Sequence, residues 1–158
     1  MRRTVGLLAC VAVAGCGFHL RSAVKMSPAL AEAYLEAPDQ YTDFHRVFAD
    51  DLTAAGVHLL PQSDPTAVVI ELQKDDSGQR ILSVSARNVP TQYEVYYTVT
   101  FRVRVGSHEL QPSQTISLTQ DYVFDENALL AMDQQQAVLR QALARNLSAL
   151  VMRRLEAL

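Results

Sequence analysis

Cysteine is nearly absent from this chain. Of 158 residues only Cys10 and Cys16 carry a thiol, and both sit at the extreme start. Everything after Cys16 lacks a disulfide and is held by packing alone, even in a compartment that would permit one. It also lacks a thiol for nucleophilic catalysis or metal binding. No apolar run approaches the roughly 20 residues that a membrane-spanning helix needs. Glycine is scarce, with six residues, and no glycine-rich phosphate loop is present. Basic residues are outnumbered, 14 against 17 acidic, for a net charge of -3. That balance argues against nucleic acid as a partner, because its binding depends on neutralising phosphates. Catalytic signatures are missing too. His19, His45, His58 and His108 are scattered, with no HExxH and no close HxH pair. There is no GxSxG. His45 with Asp50 or Asp51 is the one weak metal-ligand combination, and Asp75-Asp76-Ser77-Gly78 reads as turn or bulge chemistry rather than a hydrolytic carboxylate pair. The expectation is a non-enzyme with no metal and no diffusible cofactor.

What is present begins at the N-terminus. Arg2 and Arg3 precede an apolar stretch from Val5 to Ala14, and Val13-Ala14-Gly15-Cys16 closes it. A charged start, a short apolar run and small residues at a cut site describe a secretory signal. The terminal Cys makes the pattern resemble a bacterial lipobox. That resemblance implies removal of residues 1–15 and acylation of Cys16, whose covalent lipid would be the sole attached group. Without Arg2 and Arg3 the mature chain has 12 basic and 17 acidic residues, a net charge near -5. Two or more acyl chains anchor a protein stably, at roughly 0.8 kcal/mol per buried methylene. Gly17 stands where lipoproteins kept in the inner membrane usually carry Asp. Its presence implies sorting to the outer membrane of a Gram-negative cell, on the periplasmic face.

The remaining length suits one domain with a real core. Its apolar fraction of 49% and charged fraction of 20% are those of a globular protein. Residues 16–30 read as a lipidated tether, with a possible short edge strand at Phe18 to Arg21, and residues 31–158 as a single domain. Ala31 to Ala37 alternates and favours a strand, with helix as the competing reading. Phe44, Val47, Phe48, Leu52 and Ala55 follow helical spacing; Thr42 or Asp39 can cap the start and Gly56 the end. Val57 to Pro61 leads out. Ala67 to Gln73 and Arg80 to Arg87 read as two strands separated by the Asp75–Gly78 turn or bulge. Tyr93 to Val105 alternates strictly, with Tyr93, Val95, Tyr97, Val99, Phe101, Val103 and Val105 on one face. Gly106-Ser107 makes a turn, and Gln114 to Phe124 continues the pattern. From about Glu126 to Leu158 a long helix carries Leu139, Leu143, Leu147, Leu150, Val151, Leu155 and Leu158 in one stripe, after a cap at Asp125 or Asn127.

The predicted fold is α+β, a two-layer sandwich of about four mostly antiparallel strands with two helices packed on one face. The other sheet face stays open, with Glu94, Tyr96, Thr98, Thr100, Arg102 and Arg104 beside Thr115, Ser117 and Thr119. A solvated face is common in antiparallel sheets. This one is also polar enough to enter a polar cavity.

Cys16-Gly17-Phe18-His19-Leu20-Arg21 resembles the opening of the LptE (RlpB) family of lipopolysaccharide-assembly lipoproteins, with Ser22 where that family typically has Gly. Gln92 to Val99 resembles its EYEL-type strand, Asp121-Tyr122 with Phe124-Asp125 its turn into the last helix, and Arg153-Arg154-Leu155 that helix's basic end. The resemblance covers essentially the whole chain. It implies two helices on a four-stranded sheet. It also implies an outer-membrane lipoprotein that plugs and helps assemble the large LptD β-barrel, supporting lipopolysaccharide delivery to the outer leaflet. The lumens of such barrels are polar, which suits Tyr96, Thr98, Thr100 and Arg102 as barrel-facing residues. Arg87 is the nearest match to a basic residue of the family associated with lipopolysaccharide, whose phosphates attract arginine. A second basic position has Met132 here. The rival reading is a lipoprotein activator or auxiliary subunit of another envelope machine, such as a cell-wall synthase or lipid-transport complex.

Overall fold

A computed structural model describes residues 26–125 and 129–158. Cys16, the signal segment and the Phe18–Arg21 stretch lie outside the described residues, as does Asn127. The described chain opens with a 3-10 turn, Pro28–Leu30, capped by the Ser27 hydroxyl. Leu30 is completely buried, so the folded unit reaches back into the stretch expected to be tether. Strand β1 (Glu32–Glu36) follows, burying Ala33 and Leu35 as the alternation predicts. Helix α1 (Asp43–Ala54) is capped by Thr42, whose hydroxyl accepts from the His45 backbone N–H at 3.0 Å. Asp39, the alternative cap, instead accepts from the Tyr41 N–H. Gly56, at φ 88°, ends the helix in the left-handed conformation that glycine tolerates.

Strand β2 (His58–Leu59) is short. Strands β3 (Val68–Val84), β4 (Pro90–Val105) and β5 (His108–Val123) are long and antiparallel. Helix α2 (Leu129–Leu155) closes the fold, three residues short of the expected end. The sheet order is β2-β1-β3-β4-β5, five strands rather than about four. β1 runs parallel to both β2 and β3, so the sheet is mixed. This follows from the connections: α1 carries the chain back between β1 and β2, as a parallel pair requires, whereas tight turns join β3, β4 and β5.

The sharpest departure from expectation lies in β3. Asp75 to Gly78 does not turn the chain; it stays paired with β4 from Asp75↔Val99 to Gly78↔Tyr96. Gly78 serves as a platform instead. The Tyr96 side chain lies over it, and a Cβ there would meet the Tyr96 hydroxyl oxygen at 2.6 Å. The irregularity comes earlier, between Leu72 and Lys74. One extra residue there reverses which side chains face which way. Ile70 and Leu72 point to the helices before it, and Asp75 points to them after it.

Both helices cover one face. Phe44, Phe48 and Leu52 of α1 and Leu143, Ala144, Leu147, Val151 and Leu155 of α2 pack with Val95, Tyr97, Val99, Phe101 and Val103 of β4. The helices are tied together by Arg140 on Asp43 (2.9 Å) and by buried Ser148, which donates to Asp51 (2.5 Å). The leucine stripe of α2 is therefore core packing. Leu158, beyond the last helical residue, is exposed.

Candidate functional site

With the helices on one side, the open face of β3, β4 and β5 is the surface available for recognition. It falls into three zones along the strands. Nearest the Gly106 turn is an ionic zone. Arg102 donates to Glu71 through Nε (2.8 Å) and Nη2 (2.6 Å), and Arg104 reaches both Glu71 (3.4 Å) and Glu36 (3.1 Å). Burial works to raise the Glu71 carboxyl. Hydrogen bonds from Arg102, Gln73 and Arg104, with the Arg102 charge, outweigh it and hold Glu71 below the usual carboxylate range. The hydrogen bond to Glu71 likewise holds the Arg102 guanidinium above its ordinary value. Arg102 is thus committed within the sheet and is not a free anion receptor.

The middle zone is a ladder of hydroxyls. Thr98 bonds to Ser117 across the β4–β5 pair at 2.8 Å, and Thr100 bonds to Thr115 at 2.9 Å. The register pairs Tyr96 with Thr119 on the same face. The sequence-predicted quartet of Tyr96, Thr98, Thr100 and Arg102 is therefore brought together on one side of one strand. Tyr96 contributes differently from expectation, since the hydroxyl end of its ring lies over Gly78.

The third zone is the far end of the β3–β4 hairpin. Arg80 pairs with Glu94 there. Arg87 is exposed in the turn closed by Ser85 N–H to the Val89 carbonyl (2.7 Å), with Asn88 at φ 60°. No hydrogen bond or ion pair holds Arg87 among the described residues. Around it Ile81, Leu82, Val84 and Val89 are exposed, together with Val123 on β5. Sequence reading missed these aliphatic residues because a strand of mixed polarity gives no sign of where its hairpin outruns the covering helices. Met132, at the position where a second basic residue was sought, is buried with its sulfur 3.3 Å from the Asp125 N–H. It belongs to the core and presents nothing to a ligand.

The helix-covered face has its own polar cluster. Tyr97 donates to Asp75 at 2.9 Å and accepts from the Phe44 N–H at 3.0 Å; Thr42 also donates to Asp75. Two hydroxyls thus accept from the first turn of α1 and donate hydrogen bonds to one carboxylate. Burial raises Asp75 above the usual carboxylate range in spite of those bonds, and burial also raises Tyr97. His45 is lowered by burial against the pull of Asp75 and Asp39. Asp51, considered as its metal partner, is engaged with Ser148 instead. Among the described residues no three His, Cys, Asp or Glu side chains group as a metal site.

Comparison with known proteins fits this architecture. An LPS-assembly lipoprotein LptE of Yersinia enterocolitica is 25% identical over 137 residues, 85% of this chain and 65% of that protein. The chain thus spans a little under two thirds of that relative's length. An LptE of Pectobacterium atrosepticum is 23% identical over 151 residues, 94% of this chain and 80% of that one. Among solved structures, a lipoprotein B from Nitrosomonas europaea superposes with a TM-score of 0.73 at 22% identity, covering 89% of this chain and 91% of its own. The rare lipoprotein B from Shewanella oneidensis gives 0.69 at 19%, covering 80% and 94%. Those two likenesses establish the fold. The family profile described as "LptE: Lipopolysaccharide-assembly" matches residues 30–155, and the chain belongs to the LptE family.

Proposed function

We propose that this lipoprotein is anchored through Cys16 in the inner leaflet of the outer membrane, where it plugs and helps assemble the LptD β-barrel and supports lipopolysaccharide delivery. One observation carries the reading. The face opposite the helices is polar but internally neutralised: Arg102 and Arg104 are matched by Glu71 and Glu36, and the threonines by hydroxyl partners. Such a face suits the wet, polar lumen of a large barrel better than lipid or an apolar groove. Tyr96, Thr98, Thr100 and Arg102 are the residues assigned to the barrel side.

The hairpin tip supports the second half of the reading. An unpaired cation, Arg87, beside exposed aliphatic side chains offers both things an anionic amphiphile needs, a phosphate partner and apolar cover. Arg87 is assigned to lipopolysaccharide contact.

The test is affinity purification of the tagged full-length protein from outer membranes in mild detergent, with companions identified by mass spectrometry. A stoichiometric large β-barrel is expected. A cell-wall synthase or an inner-membrane complex in its place would overturn the reading. Cys16→Ala should abolish anchoring, and Arg87→Glu should weaken binding to purified lipopolysaccharide while leaving the barrel complex intact.

A further inference from the structure

Among the described residues the sheet has two long edges without a further strand, and they are built differently. β1 ends at Glu36, opposite Glu71, so from Leu72 to Val84 β3 is paired with β4 on one side and, among the described residues, with no strand on the other. That edge is guarded. It carries Lys74, Asp76 and Arg80, and its register breaks at Leu72/Lys74 and again at Ile81/Ser83. Charges and irregularities of this kind are how proteins stop a strand from recruiting another chain. β5 is the terminal strand on the other side. Its irregular part is confined to the stretch around Pro112. From Gln114 to Val123 the pairing with β4 is unbroken over ten residues, with no Pro, Lys or Arg and one acid, Asp121. Among the described residues, no backbone hydrogen bond from 114–123 reaches any segment other than β4.

Two further features mark this edge as incomplete. Ile116 and Leu118 are half-buried, whereas their β4 partners Val99 and Tyr97 are 1% exposed or less. The helices therefore cover β4 and leave the outer flank of β5 uncovered. The sequence is also its own complement about Ser117. In an antiparallel pairing of two β5 strands centred there, Ile116 faces Leu118 of the second copy, Thr115 faces Thr119, and Gln114 faces Gln120. Asp121 falls opposite Ser113, so no like charges meet. Matched cross-strand pairs of this kind stabilise a sheet, and like charges would oppose it.

We propose that the protein, free of any other partner, pairs with a second copy of itself through antiparallel β5 edges centred on Ser117, forming one continuous ten-stranded sheet. The interface is two-fold and closes on itself, because the guarded β3 edge and the two-residue β2 cannot extend it. The proposal stands on the edge alone and does not depend on the barrel reading.

Residues 16–158 carrying Cys16→Ser, studied by analytical ultracentrifugation from micromolar to millimolar concentration, provide the test. The mass should shift from monomer to dimer and stop there. Ser117→Lys sets two cations face to face and should hold the protein monomeric, with the melting temperature of the wild type at concentrations where both are monomers. An equimolar mixture of Ser117→Lys and Ser117→Glu should dimerise again. Ser117→Cys should oxidise to a covalent dimer, while Thr98→Cys, on the same face one strand inward, should not. A monomer at every concentration overturns the proposal, whether the edge is empty or covered by the chain's own N-terminal residues. So does a dimer that Ser117→Lys leaves intact, or assembly beyond the dimer.

Discussion

The two faces of β4 differ in everything but their backbone. On one, Val95, Tyr97, Val99, Phe101 and Val103 are almost wholly enclosed by two helices. On the other, Tyr96, Thr98, Thr100, Arg102 and Arg104 are half-buried and bonded to one another's neighbours. The first face supplies the folding energy, since apolar area removed from water is the dominant favourable term. The second supplies far less, and it is the face to which the barrel contact is assigned in our proposal. Breaking the first should unfold the protein; altering the second should change what it binds. Phe101→Ala is the most damaging single test. It removes a fully buried ring and should cost about 3–5 kcal/mol in urea unfolding.

Tyr97→Phe is subtler and comes next. It keeps the ring in the core, tilted against Phe44 with ring centres 6.5 Å apart. It removes the hydroxyl that joins the Phe44 N–H to Asp75, leaving a buried donor without an acceptor. The expected loss is about 1–3 kcal/mol. Amide exchange should localise the loosening to the first turn of α1.

These contrasts were unevenly legible in the sequence. The faces of β4 could be read residue by residue, because period-two alternation over thirteen positions has no competing explanation. That Thr115 and Ser117 share a face with Thr98 and Thr100 was legible from the same alternation, but which faces which was not, because two register shifts near Pro112 move the pairing two residues from what the Gly106-Ser107 turn alone would set. Asp75 to Gly78 misled for a physical reason. Asp, Ser and Gly are turn formers by local preference, but here Tyr96 covers Gly78 and Asp75 is held by Tyr97 and Thr42, partners 22 and 33 residues away. The parallel placement of β1 and the two-residue β2 were hidden as well. Both depend on how α1 returns across the sheet, which no local window records. The exposed aliphatic tip around Arg87 depends on where the helices stop covering the sheet.

β3 carries carboxylates on both faces, and acid should separate Asp75 on the helix side from Glu71 on the open side. Burial raises Asp75, so its folded-state pKa lies above the unfolded value, near ~3.9. Its contribution is complete below that value and is lost as pH rises through the folded pKa. Glu71 is held low by Arg102 and Arg104, against burial, so its folded pKa lies below the unfolded ~4.3. Its contribution is present above that value and is lost as pH falls through the folded pKa. Urea titrations of wild type, Asp75→Asn and Glu71→Gln between neutral pH and strong acid distinguish the two. The stability of wild type relative to Asp75→Asn should grow on acidification, and relative to Glu71→Gln it should shrink. The same sign for both would mean that the faces do not differ electrostatically as the ion pairs and burial require.

The smallest effect on stability belongs to Thr98→Val, and its smallness is what makes it useful. Valine keeps the branched shape that suits a strand and replaces a hydroxyl whose partner, Ser117, is exposed and can turn to water. The change in unfolding free energy should stay within ~0.5 kcal/mol. Recognition should be more sensitive, because a hydroxyl removed from a face that is dry only in a complex leaves its partner group unpaired there. A double variant, Thr98→Val with Thr100→Val, should therefore melt like wild type yet be recovered with less β-barrel per molecule from detergent-solubilised outer membranes. A variant that is both fully stable and fully partnered would move the barrel contact off the middle of this face, to the ionic zone at Arg102 and Arg104 or to the hairpin tip.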